Sequence, residues 1–175
     1  MILGMSISTF ISLHVVLSVI GLASGCFVLS GMLASRKPAG LTTLFLLTTT
    51  ATSVTGFLFP FTRLGLGQVA GVLSLAVLLP TLLALYGYRL AGPWRGFFAA
   101  GATAALCLNW VIAVAQAFAK IDALQTLAPT QSAPVFVGTQ LVVLVIFTGL
   151  GILAVRWFHP CATALVRIRL PAAPV

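Results

Sequence analysis

Five runs of this chain are each long and apolar enough to cross a lipid bilayer, and that feature leaves little choice of fold. About 20 apolar residues span the hydrocarbon layer, and inside it every backbone N–H and C=O must be paired within the chain's own secondary structure. The runs are 7–34, 41–60, 68–90, 94–119 and 135–157. They predict an all-α integral membrane bundle of five transmembrane helices over residues 1–158, followed by a short basic tail, 159–175. Only 6% of the residues are charged, against about a quarter in a soluble chain. At 175 residues there is no room for a second, soluble domain.

The charges that remain are one-sided. Nine Lys and Arg stand against a single acid, Asp122, for a net charge of +8. On a soluble protein that balance would suggest nucleic acid. Here the cations sit in short loops between apolar runs, where they orient the chain and meet anionic headgroups, so the expected partner is the bilayer and not nucleic acid. Arg36, Lys37, Arg89, Arg95, Arg156, Arg167 and Arg169 fall on one side of a five-span thread, Arg63 and Lys120 on the other. The positive-inside rule then gives N-out, C-in in a bacterial inner membrane. Tyr86, Tyr88, Trp94 and Trp157 lie where interfacial anchors belong on the cytoplasmic side. Met1 to Ser6 carries no Lys or Arg, and the first run is too long for a signal peptide's apolar region, so it reads as a retained span.

Loops and tail are brief. Residues 121–134, with Pro129, Thr130, Gln131, Ser132 and Pro134, read as an ordered turn or short interfacial segment. The tail from His159, with Pro160, Pro171 and Pro174, reads as loosely ordered at the membrane surface. Cys26, Cys107 and Cys161 have no disulfide spacing and read as small packing residues.

Polar groups inside spans are costly, so their pattern is the informative part. In the first span His14, Ser18, Gly21 and Gly25 follow at i, i+4, i+7 and i+11, one narrow stripe in an aliphatic coat. Such a small, polar seam packs against other helices. The second span has Thr48, Thr49, Thr50, Thr52, Ser53, Thr55 and Gly56, whose hydroxyls can bond back to carbonyls one turn earlier. The third aligns Gly71, Ser74 and Thr81, with Pro80 expected to kink it. The fourth aligns Ala102, Ala105, Asn109, Ala113 and Gln116, and the fifth Gln140, Thr148 and Gly151. The expected packing positions are Ser18, Gly21, Gly25, Gly56, Gly71 and Gly151.

Depth groups some of these residues. At 1.5 Å per residue His14 lies roughly 10 Å below the outer surface. Thr52, Thr55, Gln116 and Gln140 share that outer half, with Asn109 somewhat deeper. A ligand pocket of His14, Thr52, Asn109, Gln116 and Gln140, opening outward, is the sharp expectation. The plainer alternative is that the same groups satisfy one another and lock the bundle.

Several chemistries lack their residues. A bis-histidine haem needs a second axial ligand, and His159 lies past the opposite end of the bundle from His14. Proton and ion paths are marked by buried carboxylates, and Asp122 belongs to a loop. No metal-ligand cluster is spaced for zinc or iron, and His159-Pro160-Cys161 offers only two donors. Ser24 in Gly21-Leu22-Ala23-Ser24-Gly25 has no histidine within reach to serve as base, His14 being about 15 Å away along the axis. No enzymatic constellation results.

His14 in the first span, the stretch from Leu47 to Phe61 (LTTTATSVTGFLFPF) and Leu127-Ala128-Pro129-Thr130-Gln131-Ser132 resemble small multi-pass inner-membrane proteins of proteobacteria. The resemblance implies a membrane fold but no activity, and no functional residue is carried over from it. The function expected first is a non-enzymatic accessory or assembly subunit of a larger membrane complex, bound to other subunits or to its own copies through seams such as Gly21-xxx-Gly25 and Gly67-xxx-Gly71. The competing expectation is a binder of a small lipophilic ligand (a quinone, a lipid or a single-ligand haem), with His14 donating to a quinone carbonyl. No cofactor is otherwise expected. A small-solute channel or exporter comes third, because the cytoplasmic halves of the first, third and fifth spans look too apolar to line a path.

Overall fold

Every regular element of the computed structural model, which describes residues 4–59 and 66–160, is helical. The helices are α1 (Ile7–Leu33), α2 (Ala39–Gly56), α3 (Leu66–Leu82, running into a wider π turn at Leu83–Gly87), α4 (Trp94–Lys120), the short α5 (Asp122–Leu127) and α6 (Pro134–Trp157). Among the described residues four segments are long and apolar enough to cross a membrane: Ile7–Leu33, Gly67–Gly87, Trp94–Lys120 and Pro134–Trp157. Helix α2 is not among the four. Eight of its 18 residues are Thr or Ser, and these hydroxyls dilute its apolar content. Pro60, Arg63 and the tail from Cys161 on, with Arg167, Arg169, Pro171 and Pro174, lie outside the described residues.

Local chemistry sets the helix ends. Ser6 caps α1, its hydroxyl accepting from the Thr9 N–H at 3.1 Å. At the other end Ser35 takes a left-handed φ of 56°, the Arg36 N–H reaches the Gly31 carbonyl (2.8 Å) and the Ser35 N–H the Met32 carbonyl (3.0 Å). That is a Schellman stop with serine where glycine is usual, and Pro38 follows it. Within α2 the hydroxyls of Thr48, Thr50, Ser53 and Thr55 bond the carbonyls of Leu44, Leu46, Thr49 and Ala51 at 2.7–2.9 Å. Hydroxyls satisfied this way can sit in an apolar medium. Pro80 lies inside α3 and the helix continues past it; the departure from α geometry comes at Leu83–Gly87.

Helix α4 is the hub. It packs against α3 and α6 and also meets α1 and α2, while α1 lies chiefly on α2. One end of the bundle is filled by Val28, Met32, Phe45, Leu85, Phe98 and Phe158, drawn from α1, α2, the π turn, α4 and the end of α6. At this end the His159 N–H donates to Ser35 Oγ at 2.8 Å, joining the end of α6 to the α1–α2 turn. Arg36, Lys37, Arg89, Arg95 and Arg156 all sit at the helix ends and turns gathered here. Toward the other end the segment after α4 folds back, with Phe118 edge-on to Phe136 (5.4 Å between centroids) and Ala115 and Ala128 beside them. The 121–134 connection is thus an ordered turn carrying α5.

Candidate functional site

The stripe on α1 changes character along its length. Gly25 is pressed against Leu106 and Phe45, where an added Cβ would come within 2.6 and 2.8 Å of their side chains. About one turn earlier, Gly21 faces Thr48 and Thr49 at 3.3 and 3.5 Å on the same measure, with Asn109 next to them. The Asn109 amide donates to Thr49 Oγ1 at 3.2 Å. Beyond this point α1 and α4 no longer touch closely. Ser18 donates to the His14 carbonyl of its own helix (2.8 Å), and a cavity of about 580 Å³ opens between α1, α2, α3 and α4.

Four of the five residues expected to form a pocket line this cavity: His14, Thr52, Asn109 and Gln116. Gln140 does not. Its amide donates to the Val111 carbonyl at 3.0 Å, and its Oε1 is buried without a partner. Shared depth placed it beside α4 at the right level but on the wrong side. At 100° per residue, Asn109 and Gln116 are seven apart and share a face, whereas Val111 lies about 200° round from Asn109.

The packing expectations divide in the same way. Gly21 and Gly25 are close-packed, and Gly151 sits against Thr103, its added Cβ at 3.4 Å. Ser18 and Gly56 instead border the cavity, and Gly71 is both close-packed and at its border. Gly71 backs onto the Phe57 ring, while an added Cβ at Gly56 would meet only His14 Cε1, at 3.8 Å.

His14 is held on two sides. Its Nδ1 lies 2.9 Å from Thr55 Oγ1, and Phe59 stands edge-on to the ring at 5.2 Å between centroids and 87°. Thr55 Oγ1 is also 2.7 Å from the Ala51 carbonyl, which can only accept, so the hydroxyl proton is committed there. The imidazole is therefore the donor to Thr55, and in the neutral ring Nε2 is an acceptor. In that tautomer the one ring proton is used inside the bundle, and His14 has none left to give a quinone carbonyl.

Thr52 and Ser74 line the cavity, and their hydroxyl oxygens are buried and lack any hydrogen-bond partner. Buried polar groups are rarely left so. Lys120, at the end of α4, is the one cation lining the cavity among the described residues. Sequence reasoning read Lys120 for topology only and missed Gln68 and Phe59 altogether. Lys120 was findable, since it is i+4 from Gln116 and i+11 from Asn109 on one helical face.

A second recess of about 630 Å³ lies between α3, α4 and α6. Its walls are mainly apolar, with Leu73, Val77, Phe147 and Ile152 among them and Thr148 and Arg156 also present, and the Thr103 hydroxyl in it is committed to the Ala99 carbonyl (2.8 Å). Among the described residues no three His, Cys, Asp or Glu side chains gather as a metal site. No protein-family model matches the chain, and no curated protein or solved structure matches it either.

Proposed function

We propose that this is a five-span protein of the bacterial inner membrane, N-out and C-in, that binds a small lipophilic molecule in the cavity around His14. The observation that carries the reading is the cavity itself. Its volume lies in the range of small-molecule sites, its walls are mostly apolar, and a few polar groups sit among them. Two of those groups are hydroxyls that the protein leaves unpaired. Mutual satisfaction of the polar seam, the plainer alternative, accounts for Asn109 with Thr49 but not for Thr52 and Ser74.

The five-span thread is supported by length and charge. Eighteen residues of α2 reach about 27 Å, close to the hydrocarbon thickness. Five described cations gather at one end of the bundle, which the positive-inside rule makes cytoplasmic. The cavity then opens toward the outer leaflet. Cysteines replacing Lys37 and Arg95 should be labelled from the same side by an impermeant thiol reagent, and labelling from opposite sides would overturn the thread.

The accessory-subunit reading stands second. Only Phe136 and Ala154 of α6 are buried, so α6 is the helix on which a neighbouring subunit would sit. A channel is not carried forward, because the packed end around Val28, Phe45 and Leu106 interposes apolar side chains across any path. Native mass spectrometry tests the leading reading. Protein released from its own membrane in mild detergent should retain a small molecule, and Ala113→Trp, which fills the cavity, should lose it. The same bound mass on both proteins, or none on either, would contradict the proposal.

A further inference from the structure

The hydrogen-bond directions around His14 say more than that a ligand fits. The proton of Thr55 Oγ1 goes to the Ala51 carbonyl at 2.7 Å, which makes His14 Nδ1, 2.9 Å away, the donor to that oxygen. A threonine that looks like one more helix hydroxyl thus selects the tautomer of the histidine beside it. In the neutral ring of this cavity-lining residue the other nitrogen, Nε2, is an acceptor. Thr52 and Ser74 also line the cavity, with hydroxyl oxygens buried without partners, and Ser74 as a residue is only 3% exposed. These two can donate to an oxygen or accept from a donor. The lining therefore combines one acceptor, in the neutral ring, with two hydroxyls that work either way once a side-chain rotation turns them to the cavity.

We infer that the cavity selects a lipophile whose head carries a donating hydroxyl, as in a phenol, a hydroquinone or a long-chain alcohol, over the matching ketone, quinone or ether. A hydroxyl gives its proton to His14 Nε2, and its oxygen keeps lone pairs for a threonine or serine hydroxyl. A carbonyl or ether oxygen is served by those hydroxyls but leaves Nε2 facing an acceptor with no proton between them, and a buried acceptor left unpaired is costly. Thr55 is a positioning residue in this scheme: it acts on the ligand through the imidazole and does not touch it. The inference rests on the cavity being a ligand site, as proposed above.

The test uses the full chain in vesicles of phosphatidylethanolamine and phosphatidylglycerol, with 4-nonylphenol, 4-nonylanisole and 4-nonylacetophenone as probes. Binding is corrected for partition into protein-free vesicles. The phenol should bind on the order of tenfold more tightly than the other two, the ratio expected from one hydrogen bond of ordinary net strength. Thr55→Val frees the ring to carry its proton on either nitrogen, so the ratio should fall to about twofold or less. His14→Leu should abolish the ratio, provided the variant remains monodisperse. Nitrogen-15 spectra of histidine-labelled protein supply a readout that a purely structural role for Thr55 would leave unmoved: His14 should be protonated at Nδ1 in the parent and redistribute in Thr55→Val. Saturable binding with equal affinity for the three probes would overturn the selectivity while leaving the cavity reading intact. No saturable binding of any probe would overturn both.

Discussion

The two ends of the bundle are built from the same helices and differ in what stands between them. At one end Phe45, Phe98, Phe158, Val28, Met32 and Leu106 interlock and leave no room even for a methyl group at Gly25. At the other, α1 to α4 present His14, Ser18, Thr52, Gly56 and Ser74 to an opening of about 580 Å³. Lipid is as apolar as a protein core, so helices in a membrane are held by close packing and hydrogen bonds, not by escape from water. The packed end can therefore hold the bundle together while the other end stays open. Glycine marks both: Gly25 because nothing larger fits, Gly56 where the space is free.

That contrast can be broken by substitutions matched across the two ends. The largest effect is expected for Phe45→Ala, which removes a fully buried ring and should cost about 3 kcal/mol of stability in detergent. Ile11→Ala, on the cavity wall and 40% exposed, should cost under about 1 kcal/mol. Thermal unfolding of the two proteins side by side checks the difference, and equal losses would erase the distinction.

Next comes the glycine pair. Gly25→Ala forces Leu106 and Phe45 to shift and should destabilise by about 1–3 kcal/mol. Gly56→Ala meets only His14 Cε1 at 3.8 Å and should leave the melting temperature unchanged or slightly raised. A smaller effect is expected at the border between the two regions. Asn109→Leu loses the bond to Thr49 and should cost about 0.6–1.7 kcal/mol, the range for interhelical hydrogen bonds in membranes. Thr55→Val should be milder than Asn109→Leu, about 0.6 kcal/mol, because only the His14 contact spans two helices. Its consequence should appear in ligand preference more than in stability.

Much of this was legible in the sequence, and the residues show where legibility stopped. Helical spacing brought His14, Ser18, Gly21 and Gly25 onto one seam and put Asn109 with Gln116, since a period of 3.6 fixes which side chains share a face. Counting apolar residues placed the helices to within a few positions, although the end of the third lies in a π turn that Pro80 alone did not foretell. What spacing cannot give is the azimuth of one helix relative to another. That is why Gln140, at the right depth, ended against Val111 and outside the cavity. Nor can it give the direction of a hydrogen bond: Thr55 and His14 are 41 residues apart, and which of them donates depends on the Ala51 carbonyl behind the threonine.

The claim on which the rest depends is that the His14 end is a ligand cavity and not merely loose packing. It is tested most directly by photolabelling in vesicles with an alkyl phenol that carries a diazirine in its tail. Helix α6, mostly exposed, serves as the internal reference, because any membrane-soluble probe should mark it without saturating. Labelling of peptides from α1 and from the second half of α4 is predicted to saturate, to be displaced by unlabelled 4-nonylphenol and to vanish in Ala113→Trp. Labelling of those peptides that rises in proportion to probe, as on α6, and is unchanged in Ala113→Trp would contradict the account.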